Sequence, residues 1–202
     1  MTGYDAIRNA VRKIAIFDAH PDPEPARYVH ALADSYGAGA RGAGHEVRQI
    51  MLGGINIPIL HSREDWMQND APAEVKSGQD AILWADHIVF VYPLWLGDMP
   101  ALLKAFLEQV LRPGTALQYG DSAAPEKLMK GKSARLVVTM GMPAIFYRAY
   151  YGARSVRSFK RNILELVGID PVETSLIGNV EGSAKHRERW LERMTEYGAA
   201  GN

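Results

Sequence analysis

Between Ala85 and Leu111 the sequence changes from one structural period to another across a single loop, and few folds accommodate such a unit. Ile88 to Tyr92 (IVFVY) is a continuous apolar, β-branched and aromatic run, the composition of a strand buried on both faces. The run stops at Pro93. After a short loop containing Gly97 and Asp98, Pro100 opens ALLKAFLEQVL, in which Leu103, Phe106, Leu107, Val110 and Leu111 recur at helical spacing. Proline in a first helical turn forfeits no hydrogen bond. Strand, Pro-rich loop and helix in this order predict a parallel α/β unit, with the loop at the strand's carboxyl end, where open α/β sheets bind their ligands.

The same alternation recurs along the chain. After a polar leader, Lys13 to Ala19 reads as a first buried strand that ends in His20-Pro21-Asp22-Pro23-Glu24-Pro25; three prolines in five residues exclude both helix interior and central strand. A helix is predicted from about Ala26 to Ala38, with Arg27 in its first turn. The unpaired amides and positive dipole end of a first turn attract an anion, and a cation placed there is explained by an anion between the two; the plainer alternative is a solvated arginine. His45 to Leu52 reads as the second strand and Ala73 to Trp84 as a helix. Ala134 to Thr139 is the fourth strand, Arg148 to Val167 largely helix, Val172 to Ile177 the last strand, and Ala184 to Tyr197 a charged closing helix. Residues 53–69 and 112–127 read as irregular.

Five strands alternating with helices predict one α/β domain over residues 1–202, a parallel sheet with helices on both faces. The ligand candidates are the loops His20 to Arg27, Pro93 to Asp98 and Thr139 to Tyr147. Periodicity leaves the strand order open; an order of 2-1-3-4-5 would bring the three loops together at its switch point. Two glycine motifs are read as decoys. Gly37, Gly39 and Gly42 spell G-x-G-x-x-G but close a helix instead of opening one, so they read as a helix stop and turn. Gly131-Lys132-Ser133 lacks the glycine that a phosphate loop requires at Glu126 and leads into a strand.

Composition removes other chemistries. Lys+Arg and Asp+Glu are both 23, so no field recruits nucleic acid. The absence of cysteine excludes disulfides, thiolate catalysis and Cys-based metal sites, so redox chemistry would need a cofactor. The six histidines show no metal-ligand spacing. No segment reaches the roughly 18 apolar residues of a spanning helix, so stable membrane insertion is not expected and the cytoplasm is the expected address.

YPLWLGDMPALLKAFLEQVL resembles the flavin-contacting strand, loop and helix of the flavodoxin-fold NAD(P)H:quinone oxidoreductases, with their aromatic-Pro-Leu-x-Trp/Phe and Pro-Ala-x-Leu-Lys pattern. His20-Pro21 resembles that family's flavin-phosphate loop, and Thr139-Met140-Gly141 through Tyr147 its fourth loop. The resemblance implies a flavodoxin-like three-layer α/β sandwich of sheet order 2-1-3-4-5. It implies a flavin reductase that passes hydride from NADH or NADPH to a quinone or similar acceptor. By this likeness the flavin meets His20, Arg27, Tyr28 and Val29 at its phosphate, Pro93, Leu94, Trp95 and Leu96 along its ring, and Thr139, Met140 and Gly141 at its pyrimidine side. Tyr147 is the catalytic candidate, over the hydride-transfer face. FAD is slightly preferred, on the family likeness, over FMN, which the compact length favours. A homodimer is implied. The chain departs from the family pattern in lacking Ser-x-Asn in the first loop and a histidine after Tyr147, so a Tyr–His proton relay is not expected. The alternative reading is a flavin-binding electron carrier or a regulatory subunit of a larger membrane transport system.

Overall fold

The structure is a computed structural model that describes residues 11–67, 70–120 and 124–202. Its main sheet has five parallel strands: β1 (Lys13–Asp18), β2 (Glu46–Met51), β3 (His87–Pro93), β6 (Ser133–Thr139) and β7 (Val172–Ile177). They lie in the order β2-β1-β3-β6-β7. This is the expected 2-1-3-4-5 order, interrupted in numbering only by a two-stranded antiparallel hairpin of β4 (Leu117–Gln118) and β5 (Glu126–Lys127). The hairpin belongs to the stretch read as irregular, of which residues 121–123 lie outside the described residues.

All seven residues of β3 are buried, because it is covered on both faces as well as flanked by β1 and β6. The edge strand β2 is at most half-buried at every position. One face is covered by α1 (Tyr28–Gly42) and α8 (Ala184–Ala200), packed on Ile14, Ile16, Val89, Val91 and Val137. The other is covered by α3 (Ala73–Trp84), α4 (Ala101–Val110) and the helical segments between residues 144 and 167, around Phe17, Phe90, Phe106 and Phe159. A short α2 (Arg63–Trp66) lies in the region read as loop, of which residues 68 and 69 are not described.

Three expectations are corrected. Gly37 and Gly39 do not stop a helix but lie inside α1, which ends at Gly42. A Cβ at Gly39 would stand 2.0 Å from the Thr195 carbonyl oxygen, and one at Gly198 2.0 Å from that of Tyr36, so α1 and α8 cross backbone on backbone. Helix α1 begins at Tyr28, two residues late, with Arg27 as its N-cap in the extended conformation of that position, φ −71°, ψ 132°. The loop after β6 already forms α5 (Ala144–Ala149), and the predicted helix 148–167 is broken. Gly152 and Ala153 take positive φ, then α6 (Arg154–Ser158), a π-helical stretch Phe159–Leu164 and α7 (Glu165–Val167) follow. Apolar spacing does not register such a break.

Candidate functional site

The parallel topology puts the carboxyl ends of β1, β3 and β6 side by side, and each continues into a loop. Together the loops line a cleft of about 400 Å³ with His20, Arg27, Tyr28, Val29, Pro93, Leu94, Trp95, Thr139, Met140 and Gly141 on its walls. These are all of the sequence-predicted site residues but two. Leu96 and Tyr147 line an adjoining space of about 430 Å³ that shares Leu94, Met140 and Gly141 with the first. Sequence reasoning missed Val180 and Glu181, which reach the cleft from the loop after β7; neither carries a motif.

The first loop supplies a donor-rich end. The N–H groups of Tyr28 and Val29 have no acceptor among the described residues, as the first turn of a helix dictates. His20 Nδ1 lies 3.1 Å from both the amide and the carbonyl oxygen of Asp22, accepting from the first in one tautomer and donating to the second in the other. Burial holds the His20 pKa below its usual value, so the neutral form is favoured. Arg27 does not stand free at this end: its Nε and Nη2 both donate to Asp22 Oδ2, at 2.8 and 2.5 Å. The Glu24 amide and Arg27 together hold the Asp22 carboxyl below its ordinary range. Tyr28 is anchored by its hydroxyl, which donates to the Arg187 carbonyl at 2.8 Å.

Beneath this loop lies a buried pair that sequence reasoning did not single out. Asp18, the last residue of β1, meets His30 of α1 at 2.5 Å, with side chains 1% and 4% exposed. Burial raises the Asp18 pKa against the opposing pull of His30. The signal was available, since an Asp ending a buried strand and a His on an apolar helix face are both unusual, but their partnership depends on the fold.

The second loop is a tight reversal. Trp95 and Asp98 exchange two backbone hydrogen bonds, at 2.9 and 3.0 Å, and both intervening residues take positive φ, Leu96 at 49° and Gly97 at 82°. Such a turn suits Gly and strains Leu. Leu96 is nonetheless fully exposed, at 108% of its reference surface, and the Leu96 and Gly97 N–H groups have no protein acceptor among the described residues. Trp95 packs edge-on against His20, ring centroids 5.8 Å apart, and so closes the first loop onto the second. In the third region Tyr147 is buried, its hydroxyl bonded to Ser155 Oγ at 2.7 Å. Tyr151 lies beside it, ring centroids 6.3 Å apart.

The arrangement offers unpaired N–H donors, the His20 ring and the Asp22-paired Arg27 at one end, aromatic and apolar walls in the middle, and more unpaired N–H groups at the Leu96–Gly97 turn. That donor set fits a flat heteroaromatic ring carrying a phosphate tail. Among the described residues no group of His, Asp and Glu is placed to hold a metal ion.

Comparisons with known proteins agree with this geometry. The chain is 33% identical over 128 residues to an uncharacterized NAD(P)H oxidoreductase of Haemophilus influenzae, covering 61% of this chain and 62% of that one. It is 33% identical over 108 residues to FMN-dependent NADH:quinone oxidoreductase 2 of Listeria innocua, covering 50% and 47%. The chain thus spans about three fifths and about half of the lengths of these two relatives. Among solved structures it is similar to the NAD(P)H:quinone oxidoreductase from Methanothermobacter marburgensis, with a TM-score of 0.79 and 23% identity over 96% of this chain and 100% of that one, which shows the shared fold. The model of the family with the flavodoxin-like fold matches residues 12–199, and with its sheet order and carboxyl-end cleft the chain belongs to that family.

Proposed function

We propose that this protein, as one flavodoxin-like domain, is an FMN-dependent oxidoreductase that takes hydride from NADH or NADPH and passes it to a quinone-like acceptor. The observation that carries the reading is the convergence of three loops on one cleft and the space that adjoins it, with unpaired backbone donors in each beside an aromatic wall. The Listeria innocua relative is named for FMN and NADH, and the slight preference for FAD has no such support. A homodimer and a cytoplasmic location belong to the proposal; among the described residues no helix is long and apolar enough to cross a membrane.

FMN, when bound, supplies the hydride-accepting and hydride-donating chemistry. The residues of the chain bind and orient. The Tyr28 and Val29 amides, His20 and Arg27 would hold the phosphate, with Arg27 sharing its guanidinium between that phosphate and Asp22. Trp95, Leu94 and Pro93 would wall the ring. The Leu96 and Gly97 amides and the loop from Thr139 to Gly141 would present backbone dipoles to its polar edge, where fixed donors stabilise added negative charge. Tyr147 would lie at the transfer face, its hydroxyl oriented by Ser155, so no histidine relay is needed.

The test is the visible spectrum of the purified protein, with identification of the released flavin and anaerobic addition of NADH and NADPH. A flavin band that bleaches supports the reading. A colourless protein that fails to take up added FMN overturns it.

A further inference from the structure

Within the proposed flavin reading, on which this inference rests, we infer that His30 and Asp18 form a buried clasp that shapes the 19–27 loop for the phosphate and makes both of them positioning residues for cofactor binding. The loop has little structure of its own. Its three prolines remove three donors, and its internal bonds join only near neighbours: Glu24 N–H to Asp22 Oδ1 at 3.0 Å, Arg27 N–H to the Glu24 carbonyl at 3.0 Å, the Arg27 guanidinium to Asp22 Oδ2 and the Asp22 amide to His20 Nδ1. Backbone bonds fix its two ends, Ala19 N–H to the Val91 carbonyl and His30 N–H to the Arg27 carbonyl, and what ties its middle to the sheet and the helix is the pair below. His30 Nε2 donates to the Asp22 carbonyl at 3.0 Å, His30 Nδ1 meets Asp18 Oδ2 at 2.5 Å, and Asp18 Oδ1 accepts the His20 amide at 3.3 Å. The His20 ring then stands edge-on to His30, centroids 5.6 Å apart, and to Trp95.

The protonation state follows from the partners. A carbonyl only accepts, so His30 Nε2 carries a proton. One further proton lies between Nδ1 and the carboxyl, and the pair is neutral overall whichever atom holds it. Neutrality explains how both groups tolerate burial. Core stability does not explain their presence, because apolar residues of similar volume are generally as good or better than a buried polar pair. Their polar atoms are spent on the loop: each of the two side chains reaches one backbone group in it, on either side of Pro21. Asp22, whose carbonyl His30 grips, is also the residue whose carboxylate holds Arg27, so the clasp sets the place of the cation through one residue.

The clasp acts on the phosphate end alone, and riboflavin, which has the same ring without the phosphate, separates this role from general stability. The experiment titrates flavin-free protein with FMN and with riboflavin, following the quenching of flavin fluorescence, for wild type, His30→Phe, Asp18→Leu and Asp18→Asn. His30→Phe and Asp18→Leu are expected to weaken FMN by about tenfold or more, the scale on which supporting partners act on a bound group, with riboflavin affinity within about twofold. Asp18→Asn should stay close to wild type, since its amide can donate to Nδ1 of a neutral His30. It should nonetheless lose the far-downfield proton resonance that a shared proton gives wild type. If His30→Phe fails to fold, the contrast between Asp18→Leu and Asp18→Asn carries the same test. Equal losses for FMN and riboflavin, or no loss for either, would overturn the clasp; a wild type that binds neither flavin would instead overturn the functional reading beneath it.

Discussion

His87 is the buried group whose titration can be followed through to a measurement. It opens β3 at the end of the sheet opposite the cleft, 2% exposed, with Nδ1 bonded to Ser133 Oγ at 2.8 Å and Nε2 without a partner among the described residues. Burial chiefly, and then the charges of Arg12 and Arg135, lower its pKa from 6.5 to about 3. The sign is that of a depressed base. Above pH 6.5 the ring is neutral folded and unfolded, and contributes no pH dependence. Below it the unfolded chain takes up a proton that the folded one refuses, and stability falls at about 1.4 kcal/mol per pH unit until the folded ring protonates near its own value. The depression sets a ceiling of about 5 kcal/mol, and about 3 kcal/mol should be lost between pH 7.5 and about pH 4.5. His87→Gln keeps a side chain able to bond Ser133 and does not titrate. Urea unfolding of both proteins in the same cofactor state, followed by tryptophan fluorescence, measures the difference. The variant should retain more of its neutral-pH stability at the acid end by an amount of that order, and parallel acid limbs would refute the reasoning.

Other outcomes are expected at the cleft. Gly53 abuts the first loop so closely that a Cβ there would stand 2.6 Å from the His20 carbonyl oxygen and 3.1 Å from that of Pro21. Gly53→Ala should therefore displace the loop, at a cost of about 1–3 kcal/mol, and weaken FMN binding in a fluorescence titration; unchanged affinity would show that the loop yields without consequence. Arg27→Gln should cost FMN about tenfold, the loss of one charge-assisted contact at a partly exposed site, and leave riboflavin unaffected, which isothermal titration of both ligands would check. Leu96→Gly relieves a strained positive φ worth about 1 kcal/mol and removes a side chain that no packing requires. Its melting temperature should hold or rise while the KM for a quinone acceptor increases, and a drop in both stability and activity would show that Leu96 packs in a way its exposure denies.

Much of the fold was legible because burial imprints a period on the chain. Ala73–Trp84 and Val172–Ile177 have the predicted bounds in the structure, since a helix stripe and a short run in the sheet each repeat what they pack against. Prolines at 21, 23, 25 and 100 marked the loops that line the cleft, because proline is disfavoured inside the elements on either side, whereas Pro93 is itself the last residue of β3. Where the chain leaves those periods the reading failed. Nothing in residues 148–167 announces a left-handed Ala153 or a π-helical stretch, which depend on how Tyr147 and Phe159 seat against the sheet. Gly39, read as part of a helix stop, instead lets two helices touch, because the backbone it approaches is that of Thr195 in α8, more than a hundred residues away.

The site divides in the same way. Its loops follow from local composition and from the rule that parallel strands share one carboxyl end, and the residues on them were expected from the family resemblance. Partnership does not. That Arg27 is held by Asp22, that Tyr147 leans on Ser155 in place of a histidine, that Glu181 reaches the cleft, and that Asp18 meets His30 beneath the first loop are decided by how separate elements are set against one another in space. Hydrogen bonds and charges act over a few ångströms of space without regard to sequence separation, so a one-dimensional pattern records which groups are present and only the packed molecule decides which of them meet.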